Sequence, residues 1–505
     1  MADAKREIER KYESDDSGLP DLTDAGPVAA VLDKGVVELD ATYYDTAGER
    51  LAADSITLRR RTGGSDAGWH LKLPVSPGVR DEIQAPLSDT VPEELAGLVR
   101  SRVRDAELIP VVRLRSARDL RHLMDTEGKL LAEASVDAVR AERLTEGGGA
   151  AQWTEIEVEL AQDADPAVLD KVEKRLRKAG VRPSKASSKL ARALAETTPG
   201  KRRHKGAGRP KRRPEPVTAG DHVLAYVRAQ RDAIVELDPA VRRDVEDSVH
   251  RMRVATRRMR STFRSFRKIL DRTVTDPIAD ELKWLAGELG VDRDHEVLAG
   301  RLTAALDAVP DALVSGPVPE RLGHWAGPGH GGTSGRLIGV LDSHRYLTLL
   351  DALDGVITEP PLLEAAAGAP DKALAKAVRK DFAKVSRLIT HALDLDPGHD
   401  RDLAMHEARK KAKRTRYAGE AATPALGGPA AALTKDMKSL QGLLGEHQDS
   451  VMARQTLREL SAVAHAAGES AFTYGLLYAR EERRAAEVEA ELPADWKKIS
   501  TRATV

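Results

Sequence analysis

Two periodicities divide the 505 residues. Over 1–195, polar and apolar positions mostly alternate with a period of two, which places successive side chains on opposite faces of a strand. Eight strands are predicted, at about 6–12, 37–45, 55–61, 68–73, 80–86, 111–116, 131–140 and 153–160. Helices such as 92–104 and 165–180 lie between or after them. Over 220–500, Leu, Ala and Val recur at helical spacing throughout. Residues 196–219 carry no apolar period and are basic and rich in Pro and Gly, which predicts a disordered linker. A Gly- and Pro-rich loop at about 310–335 splits the helical half. The expected architecture is α+β multidomain: a β-rich domain over 1–195, the linker, and an all-α domain over 220–500.

The polar faces of the strands are unusual. Glu7, Glu9 and Lys11 share one face of the first strand, with Ile8 on the other and Arg10 left there without a role. Thr57, Arg59 and Arg61 oppose Ile56 and Leu58; His70 and Lys72 oppose Trp69, Leu71 and Leu73. Arg80, Glu82 and Gln84 oppose Ile83 and Ala85; Arg113 and Arg115 oppose Val112 and Leu114. Glu133, Ser135 and Asp137 oppose Ala134, Val136 and Ala138; Glu155, Glu157 and Glu159 oppose Ile156, Val158 and Leu160. One such strand is an ordinary sheet with one wet face. The set reads differently, because the polar faces are nearly pure blocks of Arg/Lys or of Glu/Asp. They predict a barrel with a charged interior. Carboxylate blocks suit hard divalent cations, and Arg/Lys blocks suit phosphate oxygens.

Composition narrows the classes. Without cysteine there is no disulfide, thiolate metal site or Cys nucleophile, which fits a reducing compartment. The N-terminus has no apolar core of a secretory signal, and no apolar run approaches the ~20 residues of a membrane span. A cytoplasmic protein is expected. Aromatics are only 3%, so the cores lean on Leu, Val and Ala. The net charge is zero, but the charge is unevenly placed.

The helical half repeats itself. At an offset of 156, His250, Arg253, Arg257, Arg258 and Arg260 fall on His406, Arg409, Lys413, Arg414 and Arg416. Further on, at an offset of 155, Leu289-Gly290 and Asp294 fall on Leu444-Gly445 and Asp449. Such a long period describes a duplicated bundle, with repeats at about 220–355 and 371–495, rather than a short solenoid. His250, Arg253, Arg257, Arg260 and Arg264 form one helical stripe; the second copy offers His406, Arg409, Lys413 and Arg416, with Lys410 and Arg414 beside them. A lone basic run is usually a solvated face. Two matched runs favour an anionic partner, since packed like charges repel. Metal binding by the two histidines is disfavoured, because neither has a His four residues on. Gly208-Arg209-Pro210 resembles part of an AT-hook without its leading Arg and reads as solvated linker. The loop 327–335 lacks the Gly-Lys-Ser/Thr of a P-loop. Few aromatics stand beside the basic residues, so nucleic acid is disfavoured as a partner.

These segments carry two resemblances. Glu7-Ile8-Glu9-Arg10-Lys11 is similar to the ExExK motif of the CYTH family, the triphosphate tunnel metalloenzymes. Tyr44-Asp45-Thr46, Leu58-Arg59-Arg60-Arg61, Leu71-Lys72, Arg80-Asp81-Glu82, Glu155-Ile156-Glu157-Val158-Glu159 and Ser188-Lys189 follow in the family's order. The resemblance covers about 1–195 and implies an eight-stranded antiparallel tunnel that binds a triphosphate with Mg²⁺ or Mn²⁺. By position it implies Glu7, Glu9 and one or two of Glu155, Glu157 and Glu159 as metal ligands, with Asp137 ranking after them. It implies Lys11, Arg59, Arg61 and Lys72 as catalytic cations, and Arg113, Arg115 and Lys189 as further triphosphate ligands. Gln84 departs from the family, where many relatives carry a second acid. The run His250–Arg260, the run His406–Tyr417 and Leu440-Gln441…Leu444-Gly445-Glu446-His447-Gln448-Asp449 resemble the CHAD domain, the conserved-histidine α-helical domain, over about 220–500. This implies two four-helix bundles around a basic face that binds inorganic polyphosphate; Glu407 and Glu420 depart from a pure basic stripe. The expected function is metal-dependent hydrolysis of a linear triphosphate, with inorganic tripolyphosphate favoured. Long-chain polyphosphate would be held by the helical half, and polyphosphate granules are the expected place of association. The alternatives are a polyphosphate-binding scaffold without turnover, or a thiamine triphosphatase or adenylate cyclase on the same tunnel. Oligomeric state is left open.

Overall fold

The structure, a computed structural model, describes residues 4–14, 18–145, 147–198, 215–291, 293–327 and 333–502. Most of the predicted linker, including the stretch 208–214, lies outside the described residues, as does 328–332 of the Gly-rich loop. The chain divides into two compact units, Met1–Arg213 and Pro214–Val505.

The first unit is a closed barrel. Its strands are β1 (Ala4–Glu13), β2 (Ala30–Asp45), β3 (Thr57–Thr62), β4 (Gly68–Ser76), β5 (Val79–Ala85), β6 (Ile109–Met124), β7 (Leu130–Arg143) and β8 (Ala150–Leu160). They pair antiparallel in the order β5-β4-β3-β2-β6-β7-β8-β1, and β1 closes back onto β5 from Ala4↔Ile83 to Ile8↔Val79. Closure removes the free edges that such long strands would otherwise expose. A short strand β9 (Arg182–Pro183) adds to the end of β1.

Helices cover the apolar outer wall where strand parity predicts it. Helix α1 (Arg50–Ala53) is one turn, held by Asp45, whose carboxylate accepts from the backbone of Thr46 (2.7 Å), Leu51 (2.9 Å) and Ala52 (2.9 Å). The Tyr44-Asp45-Thr46 motif is thus a structural corner. Helix α2 (Glu93–Val103) lays Leu95, Leu98 and Val99 on Leu58, Trp69, Leu71 and Ile83. Helix α3 (Ala167–Lys178) lays Val168, Leu169, Val172 and Leu176 on Tyr12, Ile156 and Val158. Each such fully buried side chain contributes about 1.5–3 kcal/mol. Arg10 gains its role here: on the outer parity of β1, it pairs with Asp170 (2.5 Å) and Glu173 (2.8 Å) of α3. Helix α4 (Lys189–Thr197) instead packs Leu190, Ala193 and Leu194 on Ala41, Tyr43, Leu114, Val139, Ala141 and Trp153. Those strand residues have the inward parity, so α4 closes one end of the barrel.

The second unit is all-α: α5 (Ala219–Arg242), α6 (Ser248–Ser265), α7 (Arg272–Glu288), α8 (Arg293–Asp307), α9 (Val318–Ala326), α10 (Thr333–Asp342), α11 (His344–Thr358), α12 (Pro370–Asp394), α13 (His399–Leu426), α14 (Gly428–Ala466) and α15 (Phe472–Arg502). The duplication is visible in the element ends. At the offset of 156, the start of α7 at Arg272 falls on the start of α14 at Gly428. The 39-residue α14 corresponds to α7 and α8 together, which break near Leu289-Gly290. Likewise α15 takes the place of α9, α10 and α11 together, α11 packing on α5 and α7 as α15 packs on α12 and α14. Each copy is therefore a four-helix unit, fragmented in the first copy and continuous in the second. Among the described residues no helix is long and apolar enough to cross a membrane.

Candidate functional site

Inside the barrel, alternation along each strand gathers charge around a cavity of about 290 Å³. β1 contributes Glu7, Glu9 and Lys11; β3 contributes Arg59 and Arg61; β4 contributes Lys72; β5 contributes Arg80 and Glu82. β8 adds Glu157 and Glu159, and α4 adds Lys189. The lining holds eight cationic side chains against seven carboxylates, and Tyr43 is its one aromatic among the described residues. An added polyanion therefore needs further cations beside it.

The charges are heavily paired. Lys72 Nζ lies 2.6 Å from Glu7, and Lys11 Nζ lies 3.0 Å from Glu9 and also contacts Glu157. Lys189 Nζ lies 2.8 Å from Asp137, 3.0 Å from Glu155 and 2.5 Å from Glu157. Ser188 caps α4 by accepting from Ala191 N at 3.0 Å, which sets Lys189 as the first helical residue. A cation there opposes the helix dipole, so the three carboxylates are what hold it. Burial alone would raise Glu9, but Lys11, Lys72 and Arg80 outweigh it and hold its pKa down to about 2. Burial raises Glu7, with Glu9 and Glu159 adding to the shift and Lys72 opposing it. Burial, then Arg59 and Arg118, lowers Arg61 to about 9, against Glu82; it remains a guanidinium cation. Asp66, from the turn between β3 and β4, contacts it. That turn needs Gly63: its φ is 82°, and a methyl there would stand 2.1 Å from Glu38 O. His70 is buried behind the lining, 2.9 Å from both Glu82 Oε1 and Asp66 O. Burial, Arg59 and Arg61 lower its pKa to about 4, against Glu82, which raises it.

The barrel brings Lys11, Arg59, Arg61, Lys72, Lys189, Glu7, Glu9, Glu157 and Glu159 to one cavity. Glu155 and Asp137 lie buried beside it, Glu155 accepting from Trp153 Nε1 at 2.6 Å. Arg113 and Arg115 do not reach it, which corrects the predicted strand face. Their side chains are 39% and 58% exposed on the outer wall, where both pair with Asp40, at 2.5 and 3.5 Å. The inward residues at that level are apolar because α4 packs on them. The cation β6 does send inward is Arg118, two residues beyond the predicted end of the strand. It grips Asp137 with two bonds of 2.7 and 2.8 Å and Glu157 at 2.7 Å. The predicted polar parity, extended from Arg113 and Arg115, reaches Ala117 instead, so the alternation does not disclose Arg118. Arg80, Glu82, Lys5 and Glu133 also line the cavity.

A divalent metal fits two parts of this lining. Asp137, Glu155 and Glu157 each place an oxygen within 4.8 Å of the others, though Lys189 and Arg118 already neutralise them. Glu9 and Glu159 face each other across β1 and β8, with Glu7 two residues along. Glu7 Oε2 is buried and receives no well-directed hydrogen bond. An all-oxygen set of this kind suits Mg²⁺ or Mn²⁺.

In the helical unit, α6 and α13 pack together and bring the two basic stripes into one field. Lys413 is the clearest reporter: burial, then Arg257, Arg409 and Arg253, lowers its pKa to about 7. Both leading arginines rest on glycines related by the repeat. A methyl at Gly290 would stand 2.5 Å from Arg253 Cζ, and one at Gly445 would stand 3.1 Å from Arg409 Nη2. A side chain at either glycine would crowd the guanidinium resting on it, which the helical period does not disclose. Arg260 sits near Arg257 and Arg264, His250 and Arg264 are exposed, and His406 bonds to Gln448. Lys410 pairs with Glu407. Arg416 donates to Glu420 at 2.9 Å, and Arg414 donates to Asp381 at 2.9 Å and to Arg264 O at 2.7 Å. Glu420 also accepts from Tyr226 at 2.8 Å and pairs with Arg258 at 3.1 Å.

The comparisons with known proteins follow the same division. The CYTH domain model matches 5–194 and the CHAD domain model matches 225–458. A protein of Mycobacterium tuberculosis, described only as uncharacterized, is 38% identical over 509 aligned residues, covering 98% of this chain and 96% of its own. Among solved structures, PptA from Streptomyces chartreusis is 22% identical, covering 56% of this chain and 99% of its own, with a TM-score of 0.47. The CHAD domain from the plant Ricinus communis is 22% identical, covering 56% of this chain and 92% of its own, with a TM-score of 0.43.

Proposed function

The chain belongs to the CYTH family, with a CHAD domain following, and from that premise we propose that it hydrolyses a linear triphosphate, inorganic tripolyphosphate, and that its helical unit binds polyphosphate. The observation that carries the reading is the cavity inside the barrel, where Arg59, Arg61, Lys72 and Lys11 stand with Glu7, Glu9 and Glu159.

Arg59 and Arg61 present guanidinium forks to phosphate oxygens, and Lys72 and Lys11 act as point charges. Glu7, Glu9 and Glu159, with Glu157 beside them, would hold Mg²⁺ or Mn²⁺. Such a metal supplies charge neutralisation on the phosphates and a more acidic water. The protein's own part is to position the chain and stabilise charge on the transferring phosphoryl group, the main contribution in this chemistry. Buried walls strengthen those contacts by excluding water. Helix α4 closes one end, so the substrate enters from the other.

The preference for an inorganic substrate rests on the lining. Apart from Tyr43, it offers no ring among the described residues on which a nucleobase or thiamine would stack. The test is phosphate release from tripolyphosphate, long-chain polyphosphate, thiamine triphosphate and ATP, each with Mg²⁺ or Mn²⁺. Tripolyphosphate should be turned over fastest. Faster turnover of ATP or thiamine triphosphate would refute the substrate assignment, and no turnover of any would leave a binding scaffold.

A further inference from the structure

The basic face of the helical unit is nearly symmetric at Arg253/Arg409 and Arg257/Lys413, but it does not end symmetrically. α6 carries Arg264 in its last turn, and Arg267 and Lys268 follow in the turn just beyond its end. At the repeat offset these positions are Glu420, Thr423 and Pro424 in α13. Only the first copy therefore extends its positive charge. Arg264, Arg267 and Lys268 are exposed, as is Lys380 on α12. No carboxylate lies within ion-pair distance of these four among the described residues. Arg264, Arg267, Arg272 and Arg414 line a cavity of about 240 Å³ with two acids, Asp276 and Asp280. Asp276 is already paired with Arg272 at 2.6 Å. Lys384, beside Lys380 on α12, is tied to buried Asp381 at 2.9 Å, and Arg414 binds the same carboxylate. Asp381 thus anchors the cations without neutralising the patch.

We propose that Arg264, Arg267, Lys268 and Lys380 form a second anion-binding segment, asymmetric about the repeat, that carries a long polyphosphate chain off the central face along α6 onto α12. The inference rests on the polyphosphate reading of the helical unit. Lys380 supports it: Arg267 first, then partial desolvation, Lys384 and Lys268, lower its pKa although it is exposed, and Asp381 only partly opposes them, as expected for crowded cations. At ~1.5 Å rise per residue, Arg264 lies about 16 Å along α6 from Arg253. A short oligophosphate bound centrally does not reach the segment, whereas a long chain does.

The test compares long-chain polyphosphate binding by the full chain, by Arg267→Ala/Lys268→Ala/Lys380→Ala, and by Arg253→Ala/Arg409→Ala. The triple variant changes exposed residues only, and an unchanged melting temperature confirms its fold. Its affinity should fall about tenfold at low salt, and its log–log salt slope should flatten by roughly 2–3 for three lost contacts. If the triple variant binds like the wild type while Arg253→Ala/Arg409→Ala binds weakly, the segment is refuted and the central face stands. If neither variant is weakened, the polyphosphate reading of the helical unit fails, and the segment with it.

Discussion

Replacing Lys189 with Met removes one buried ammonium and keeps most of the side-chain volume. Nζ contacts Asp137, Glu155 and Glu157 at 2.8, 3.0 and 2.5 Å, and all four side chains are at most 11% exposed. At an effective dielectric of about 20, each contact is worth roughly 6 kcal/mol of gross attraction, most of it offset by desolvation. Deleting one partner of such a buried cluster costs about 3–5 kcal/mol, because the carboxylates are left under-neutralised. For a unit of this size, that lowers the barrel's melting temperature by roughly 6–20 °C. Tryptophan fluorescence is a suitable probe, since Trp153 donates to Glu155. The pH dependence has a definite sign. Asp137 and Glu157 are held below their ordinary values in the fold, with burial opposing and Lys189 among the causes. Their stabilisation is present above the unfolded carboxylate range and lost as pH falls through the folded values. The deficit of the variant should be largest near neutrality and shrink towards pH ~4. The three converging oxygens should then accept a divalent cation, so Mg²⁺ or Mn²⁺ should raise the variant's melting temperature more than the wild type's. A change under about 2 °C at neutral pH would refute Lys189 as the counter-ion of this cluster.

Arg61→Ala should lower kcat/KM for tripolyphosphate by about 10²–10³-fold, as for loss of one preorganised charge-stabilising group, whereas Arg113→Ala, on the outer wall, should stay within about twofold; equal effects would contradict the strand parity. Gly290→Ala and Gly445→Ala should each displace an arginine and weaken polyphosphate binding several-fold, roughly the loss of one charged contact, with little change in melting temperature; unchanged affinity would contradict that crowding. Lys413, lowered to about 7, is mostly neutral at pH 8 and mostly charged at pH 6. A bound polyanion favours the charged form, so binding takes up a proton and affinity should rise as pH falls, by at most about tenfold per unit. Isothermal titration in buffers of different ionisation enthalpy checks this, and Lys413→Met should abolish the dependence.

The barrel was legible because charge of one kind recurred at every second residue in most strands, and a closed sheet is what puts such faces together. Its one misread face shows the limit of that signal. Around 111–115 the inward side is apolar, because it meets Leu190, Ala193 and Leu194 of α4, from a helix some 80 residues later. No local pattern reports that packing, so Arg113 and Arg115 looked like tunnel residues. Arg10 was unassignable for the same reason, its partners lying on α3. In the helical unit the 3.6-residue period located the stripes but not their pairing. Arg414 and Arg416 are drawn into bonds with Asp381 and Glu420, while Arg253 and Arg409 settle on Gly290 and Gly445. The fragmentation of the first copy, by contrast, was visible as Gly- and Pro-rich sequence around 310–335.

The most direct measurement is Mg²⁺- or Mn²⁺-dependent phosphate release from tripolyphosphate by the wild type and by Glu7→Gln/Glu9→Gln, with long-chain polyphosphate binding followed in parallel. The account predicts metal-dependent turnover by the wild type, its loss by at least about 10²-fold in the variant, and unchanged polyphosphate binding. Undiminished turnover by the variant, or none by the wild type with either metal, would contradict it.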